Sequence, residues 1–195
     1  MLLKTYSRRV RQAFRHGIWH IAPQAMLLMF RMVVSLSDKK KIVFLDIDNT
    51  IADTWPSLSN KAPSYPSDNT RLAGLKPLWG SLHFIDGEFP SEFMRVYLTH
   101  RPYRSILVTL KWLRKYARLR PGDFVFFVQH PVEKLQFFQS VANSGQFSDI
   151  VIMDDLSHSH ERGQVLFYED ILTAIAKRGF RYIGYDQICT LNREW

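Results

Sequence analysis

KKKIVFLDIDNTIADTW, residues 39–55, runs three lysines into four apolar residues and then presents two carboxylates, Asp46 and Asp48, one residue apart. Ile42 to Leu45 form a short apolar run rich in β-formers, and "KIVFLD" reads as a buried strand. Asp and Asn are favoured in turns, so "DIDNT" taken alone is equally a strand running into a turn. A calcium-binding EF-hand loop starting at Asp46 would need glycine at position 51 and glutamate at position 57. Ile51 and Ser57 stand there, which excludes it.

Downstream of this strand the sequence alternates. "FMRVYLT" is a second strand ending at Thr99. Pro102 follows at the start of a helix, where Ile106, Leu110 and Leu113 recur at helical spacing. "DFVFFVQ" reads as a third strand, and "HPVEKLQFFQSV" opens a helix with Pro131 near its start. "SDIVIMDD" is a fourth strand, "VLFYEDILTAIAKR" a helix with Gly179 placed to end it, and "FRYIGYD" a fifth strand. Strands alternating with helices imply crossover connections. The expected fold is therefore an α/β, three-layer, Rossmann-like domain with a mainly parallel five-stranded sheet, plus an N-terminal helical appendage. Residues 56–93 break the rhythm with five prolines among Ser, Asn, Gly and large aromatics, and read as an irregular insertion.

The chain has 195 residues, enough for one domain with a substantial core. Its formal charge is +8, but residues 1–40 hold eight Lys and Arg against Asp38 alone, so +7 of the +8 belongs to that segment. The boundaries expected are a basic appendage over 1–40 and a nearly neutral domain over 41–195. Pro23 and Arg31 interrupt the apolar run of the appendage, which is shorter than the roughly 20 residues that span a bilayer. It reads as a helix packed on the domain, with a peripheral anionic-membrane contact through 1–37, or an arm for an acidic partner or nucleic acid, as the rivals. The single Cys189 rules out a disulfide framework or a multi-cysteine zinc site and suits a reducing, cytoplasmic setting.

In an open parallel sheet, ligands bind beyond the carboxyl ends of the strands. Here the first strand ends at Asp46 and Asp48, the second at Thr99, and the fourth at Asp154 and Asp155. Four motifs follow in order: Asp46-x-Asp48-x-Thr50 after a strand, Thr99 closing the next, Lys134 in "HPVEKLQFF", and the acidic pair Asp154–Asp155 in "DIVIMDD". In this the chain resembles the haloacid dehalogenase-like superfamily of aspartyl-phosphate hydrolases, over roughly residues 42–186.

That resemblance implies a Mg²⁺-dependent phosphatase acting on a phosphomonoester, most simply a phosphorylated small molecule. Asp46 would be the nucleophile and a metal ligand, and Asp48 would give its backbone carbonyl to Mg²⁺ and its side chain to proton transfer. Asp154, with Asp155 beside it, would complete the metal site. Thr99 and Lys134 would bind the phosphoryl group, and Arg101 could meet a second anionic group, or be a plain surface arginine. The second acid, Asp48, points to phosphatase or phosphotransferase work. Asn49 replaces a frequent glycine but tolerates strained turn backbones. The insertion is too short for a large helical cap, which leaves an open site. A nucleic-acid end phosphatase is the alternative among enzymes, and a membrane-peripheral or scaffold protein that uses the fold for binding is the alternative outside them. Lys111 is a poorer candidate than Lys134, His158, His160 and Glu161 read as a loop on the site rim, and Cys189 as a small buried residue.

Overall fold

A computed structural model describes residues 23–59 and 62–193. The chain divides between Ser37 and Asp38 into two units. In the first, helix α1 covers residues 23–36. The arginines and lysine at positions 4–15 of the expected appendage lie outside the described residues.

The second unit opens with strand β1 (Lys41–Leu45), followed by β2 (Ala52–Asp53), α2 (Asp68–Ala73), β3 (Lys76–Pro77), α3 (Trp79–Glu88) and β4 (Phe93–Thr99). Next come α4 (Ile106–Tyr116), β5 (Phe124–Phe127), α5 (Lys134–Ser144) and β6 (Asp149–Met153). A small ribbon of β7 (Ser157–His158) and β8 (Leu166–Phe167) precedes α6 (Glu169–Lys177), β9 (Arg181–Ile183) and α7 (Tyr185–Leu191).

Five strands form one sheet in the order β5-β4-β1-β6-β9, and every pair in it is parallel. Central β1 is buried on both faces from Ile42 to Leu45, which is why its sequence is uniformly apolar rather than alternating. On one face Val43, Leu45, Tyr97, Val151 and Met153 meet Leu82 and Ile85 of α3, Trp112 and Leu113 of α4 and Ile188 of α7. On the other, α5 sets Phe138 edge-on to Phe44 at 4.9 Å and Phe137 against Phe126 at 5.7 Å. The domain is thus a three-layer, Rossmann-like α/β fold. From β1 the chain builds outward through β4 to β5, then returns to the opposite side of β1 with β6 and β9. That reversal opens a crevice at the carboxyl ends of β1, β4 and β6.

Residues 56–93 differ from the irregular insertion expected, because they contain α2, β3 and α3. The prolines lie outside the helix interiors. Pro56 opens a 3₁₀ turn, Pro63 and Pro66 precede α2, Pro77 ends β3, and Pro90 follows α3. Ser67 caps α2 by accepting from Thr70 N at 3.2 Å. The antiparallel β2–β3 pair, Ala52 opposite Pro77, then closes a flap whose described residues are 54–59 and 62–75. The fifth strand and the last long helix are also shorter than their sequence patterns. Leu166 and Phe167 pair with β7 instead of starting α6, and Tyr185 begins α7 instead of extending β9.

Arg95, in the middle of apolar β4, is 1% exposed. Its guanidinium donates to Phe89 O at 2.9 Å, Ile85 O at 3.0 Å and Asp86 Oδ1 at 3.1 Å, so it caps the carboxyl end of α3. A cation there satisfies the Phe89 carbonyl, adds a second donor to Ile85 O, which already accepts from Phe89 N at 3.1 Å, and complements the helix dipole.

Candidate active site

β1 ends where its ladder with β6 gives Asp46 N to Met153 O at 2.9 Å. The chain then turns back sharply. Ile51 N and Ala52 N both donate to Ile47 O, at 3.0 and 2.8 Å, and Asn49 N donates to Ala52 O at 2.7 Å. The turn requires Asn49 at a left-handed φ of 58°, a conformation asparagine tolerates better than most residues. Its side-chain oxygen accepts from Trp55 N at 3.1 Å, which fixes the start of the flap. Thr50 is fully buried, and its hydroxyl accepts from Asp155 N at 3.2 Å, pinning the β1 turn to the loop after β6.

Between these two loops lies a buried charged cluster. Lys134, at the first position of α5, points its ammonium between Asp46 Oδ1 at 2.7 Å and Asp154 Oδ2 at 2.5 Å. Gln129 N donates to Glu133 Oε2 at 2.9 Å, which holds the chain just before it. Asp46, Asp154 and Asp155 each offer a carboxylate oxygen, and these oxygens lie within 4.8 Å of one another. Asp154 Oδ1 also accepts from Leu156 N at 3.0 Å, and Asp155 accepts from the Ser157 hydroxyl.

Burial pushes the Asp46 carboxyl well above the ordinary carboxylate range; Lys134 works against this, and the neighbouring Asp154 and Asp155 add to it. Burial and then Asp155 likewise raise Asp154, with Lys134 opposing. Burial would lower the Lys134 ammonium, but Asp154 and Asp46 together carry it above the ordinary lysine value. With all three carboxylates ionised, one ammonium leaves two negative charges unbalanced. Closely spaced hard oxygen donors with that deficit could hold a metal cation.

Asp48 faces away from the lysine and is gripped by Arg101, with Nε 2.9 Å from Oδ2 and Nη2 2.8 Å from Oδ1. Thr54 adds a hydroxyl hydrogen bond to Oδ1 at 2.5 Å. Burial would raise this carboxyl, but the Arg101 charge and hydrogen bonds and the Thr54 hydroxyl hold it below the ordinary range. Arg101 is 3% exposed, so the reading of a surface arginine does not hold. Thr99 is buried at the end of β4, where its hydroxyl accepts from Arg101 N at 3.2 Å and keeps its own proton to give.

Asp46, Asp48, Thr99, Arg101, Lys134, Asp154 and Asp155 therefore all gather at one end of the sheet, while Lys111 is exposed on α4. His160, read as a rim loop, is buried with Nε2 2.6 Å from Ser157 Oγ and 3.7 Å from Asp155 Oδ2. His158 packs on Tyr168 at 4.6 Å, Glu161 is exposed, and Cys189 is half-buried in α7. Three partners had no sequence signal: Thr54 on Asp48, Ser157 on Asp155, and Tyr182, whose hydroxyl donates to Asp154 O at 2.9 Å; Thr50 stood in the first motif, but its target, Asp155 N, did not. All are ordinary polar residues in loops or at strand ends, and only the tertiary fold gives them their targets. No protein-family model matches the chain, and no curated protein shows significant similarity to it.

Proposed function

We propose that this chain is a Mg²⁺-dependent phosphatase that hydrolyses a phosphomonoester through an aspartyl-phosphate on Asp46. The observation that carries the reading is the Lys134 ammonium lying between Asp46 and Asp154, with Asp155 beside them. Asp46, Asp154 and Asp155, with the Asp48 carbonyl, would hold the Mg²⁺, which supplies the positive charge a phosphate dianion needs beside an attacking carboxylate. Asp46 forms the new bond to phosphorus as the ester P–O bond breaks. Lys134 stays against Asp46 and the transferred group, and Thr99 donates its hydroxyl proton to a phosphoryl oxygen. Asp48 is the proton carrier. Held ionised by Arg101, it is suited to take the proton from the water that cleaves the acyl phosphate; that proton is the one it gives to the leaving oxygen of the next turnover, and carrying it requires Arg101 to release one of its bonds. Asp46→Asn should abolish Mg²⁺-dependent phosphate release from an aryl phosphate. Full activity in that variant overturns the reading.

For α1 we infer contact with an anionic lipid surface. Leu28, Met32 and Leu36 recur every four residues and, with Met29, stand exposed, within a segment carrying most of the net positive charge. No described helix is long and apolar enough to cross a membrane. Flotation with anionic vesicles should be lost on replacing Leu28, Met32 and Leu36 with Gln; equal recovery with neutral vesicles counts against it.

A further inference from the structure

Beyond the carboxyl end of β9 lies a cleft of about 390 Å³, bordered by Phe167, Glu169, Tyr182, Tyr185, Asp186 and Gln187. It adjoins the carboxylate cluster, because the same Tyr182 that lines it gives its hydroxyl to Asp154 O at 2.9 Å. Gly184 makes that reach possible. A Cβ at this position would stand 2.5 Å from the Tyr182 ring, so only glycine leaves the ring its place.

Flat surfaces run from the cleft back toward the flap. Phe167 meets Tyr185 edge-on at 5.9 Å, Tyr185 lies 5.8 Å from His160, and His160 lies 5.3 Å from Trp55. Phe167 and Trp55 are 37% and 41% exposed, leaving aromatic surface open to a ligand. The charge of the cleft is equally specific. Glu169 and Asp186 border it, Gln187 adds an amide, and among the described residues that border it there is no lysine or arginine. Two carboxylates repel a second phosphate and accept hydrogen bonds from amino groups, as they do from the exocyclic amine of cytosine, while an amide can pair with adenine.

We propose that this cleft is the leaving-group subsite of the phosphatase, and that it takes the amine-bearing base of a nucleoside monophosphate. The inference rests on the phosphatase reading. Asp154 belongs to the phosphoryl end, one tyrosine side chain separates it from the cleft, and a pentose bridges that gap. The base stacks on Phe167 and Tyr185, with its exocyclic amine toward Glu169 or Asp186. An aliphatic sugar phosphate finds no such partner, a nucleoside di- or triphosphate meets the wrong charge, and a nucleic-acid end brings a further phosphodiester to the same carboxylates.

Binding separates this proposal from the reading it rests on. The full chain with Mg²⁺ is titrated with cytidine, adenosine, uridine and ribose, none of which carries a phosphate. Cytidine and adenosine should bind about tenfold or more tighter than uridine and ribose. Phe167→Ala should weaken them by about tenfold, the scale of one lost base–aromatic stack. Phe167 is at the surface, so the variant keeps its core. Glu169→Gln should narrow the gap between cytidine and uridine. Phosphate release should follow the same order for cytidine and adenosine monophosphates over uridine monophosphate and ribose 5-phosphate.

Binding of uridine or ribose as tight as that of cytidine and adenosine, no binding of any nucleoside, or no effect of Phe167→Ala overturns the subsite. So does faster turnover of a terminally phosphorylated oligonucleotide. Phosphate release from ribose 5-phosphate that depends on Asp46, with no nucleoside bound, leaves the phosphatase standing and removes the subsite. Nucleosides bound selectively with no phosphate released from any substrate does the reverse.

Discussion

His100 stands one residue past Thr99, with its Nε2 hydrogen-bonded to Gln129 O and its ring 6.4 Å from that of His130. Burial, followed by the charges of Lys134 and His130, lowers its ring below the ordinary histidine value, although the Gln129 carbonyl pulls the other way. A histidine lowered in the folded chain binds its proton more readily when unfolded. Folding stability therefore falls as pH drops from about 6.5, the ordinary value, through the lower folded one. The ring proton resonances of His100 should report a midpoint under the ordinary value, and His100→Gln should flatten that acid slope in stability. At this scale the sequence displays Asp46, Asp48 and the other strand-end residues, because their position depends only on where an apolar run stops. It hides the Arg101–Asp48 pair. Which oxygen a guanidinium reaches is decided by side-chain direction between neighbouring strands, and spacing along one strand is silent on it.

Elements were legible in proportion to their length and burial. The seven-residue β4 matches its apolar pattern from Phe93 to Thr99, whereas the two-residue ribbons β2–β3 and β7–β8 are too short to carry a period. Helix α3 was hidden because apolar residues surround it and its neighbours are prolines. Its anchor is Arg95, which a reading of "FMRVYLT" as a strand passes over, yet a lone arginine in such a run signals a buried polar target. Arg95→Met would leave the Phe89 carbonyl without its donor, whereas Ile85 O keeps the hydrogen bond from Phe89 N. One buried orphan costs about 1–3 kcal/mol, and a loss of that size is expected. It should appear as a lower urea midpoint with an unchanged slope.

On the scale of the whole molecule, the central sheet carries a concentration of like charge at one end and holds it there by burial. The raised carboxyls of Asp46 and Asp154 reflect a folded state that is costly to charge. A cation bound only by the folded chain should relieve this. With Mg²⁺ at one hundred times its dissociation constant, linkage predicts about 2.7 kcal/mol of added stability, read as a rise in melting temperature. Asp154→Asn should shrink that rise strongly, while Lys111→Met, on an exposed helix position, should keep it.

The sheet order has a kinetic consequence as well. Lys134 and Asp46 meet across 88 positions of sequence, and β1 sits between β4 and β6, one reached early in the chain and the other late. Helices can form from local contacts in the unfolded chain, but the carboxylate cluster exists only once the late strand has docked beside the first. Pairings that distant are slow because loop-closure entropy is lost before the contacts that reward it form. During refolding from urea, recovery of the Mg²⁺-induced stabilisation should therefore trail the return of helical circular dichroism. Simultaneous recovery would mean that β6 finds β1 in the first collapse, and that the carboxylate cluster is assembled with the topology rather than as its last product.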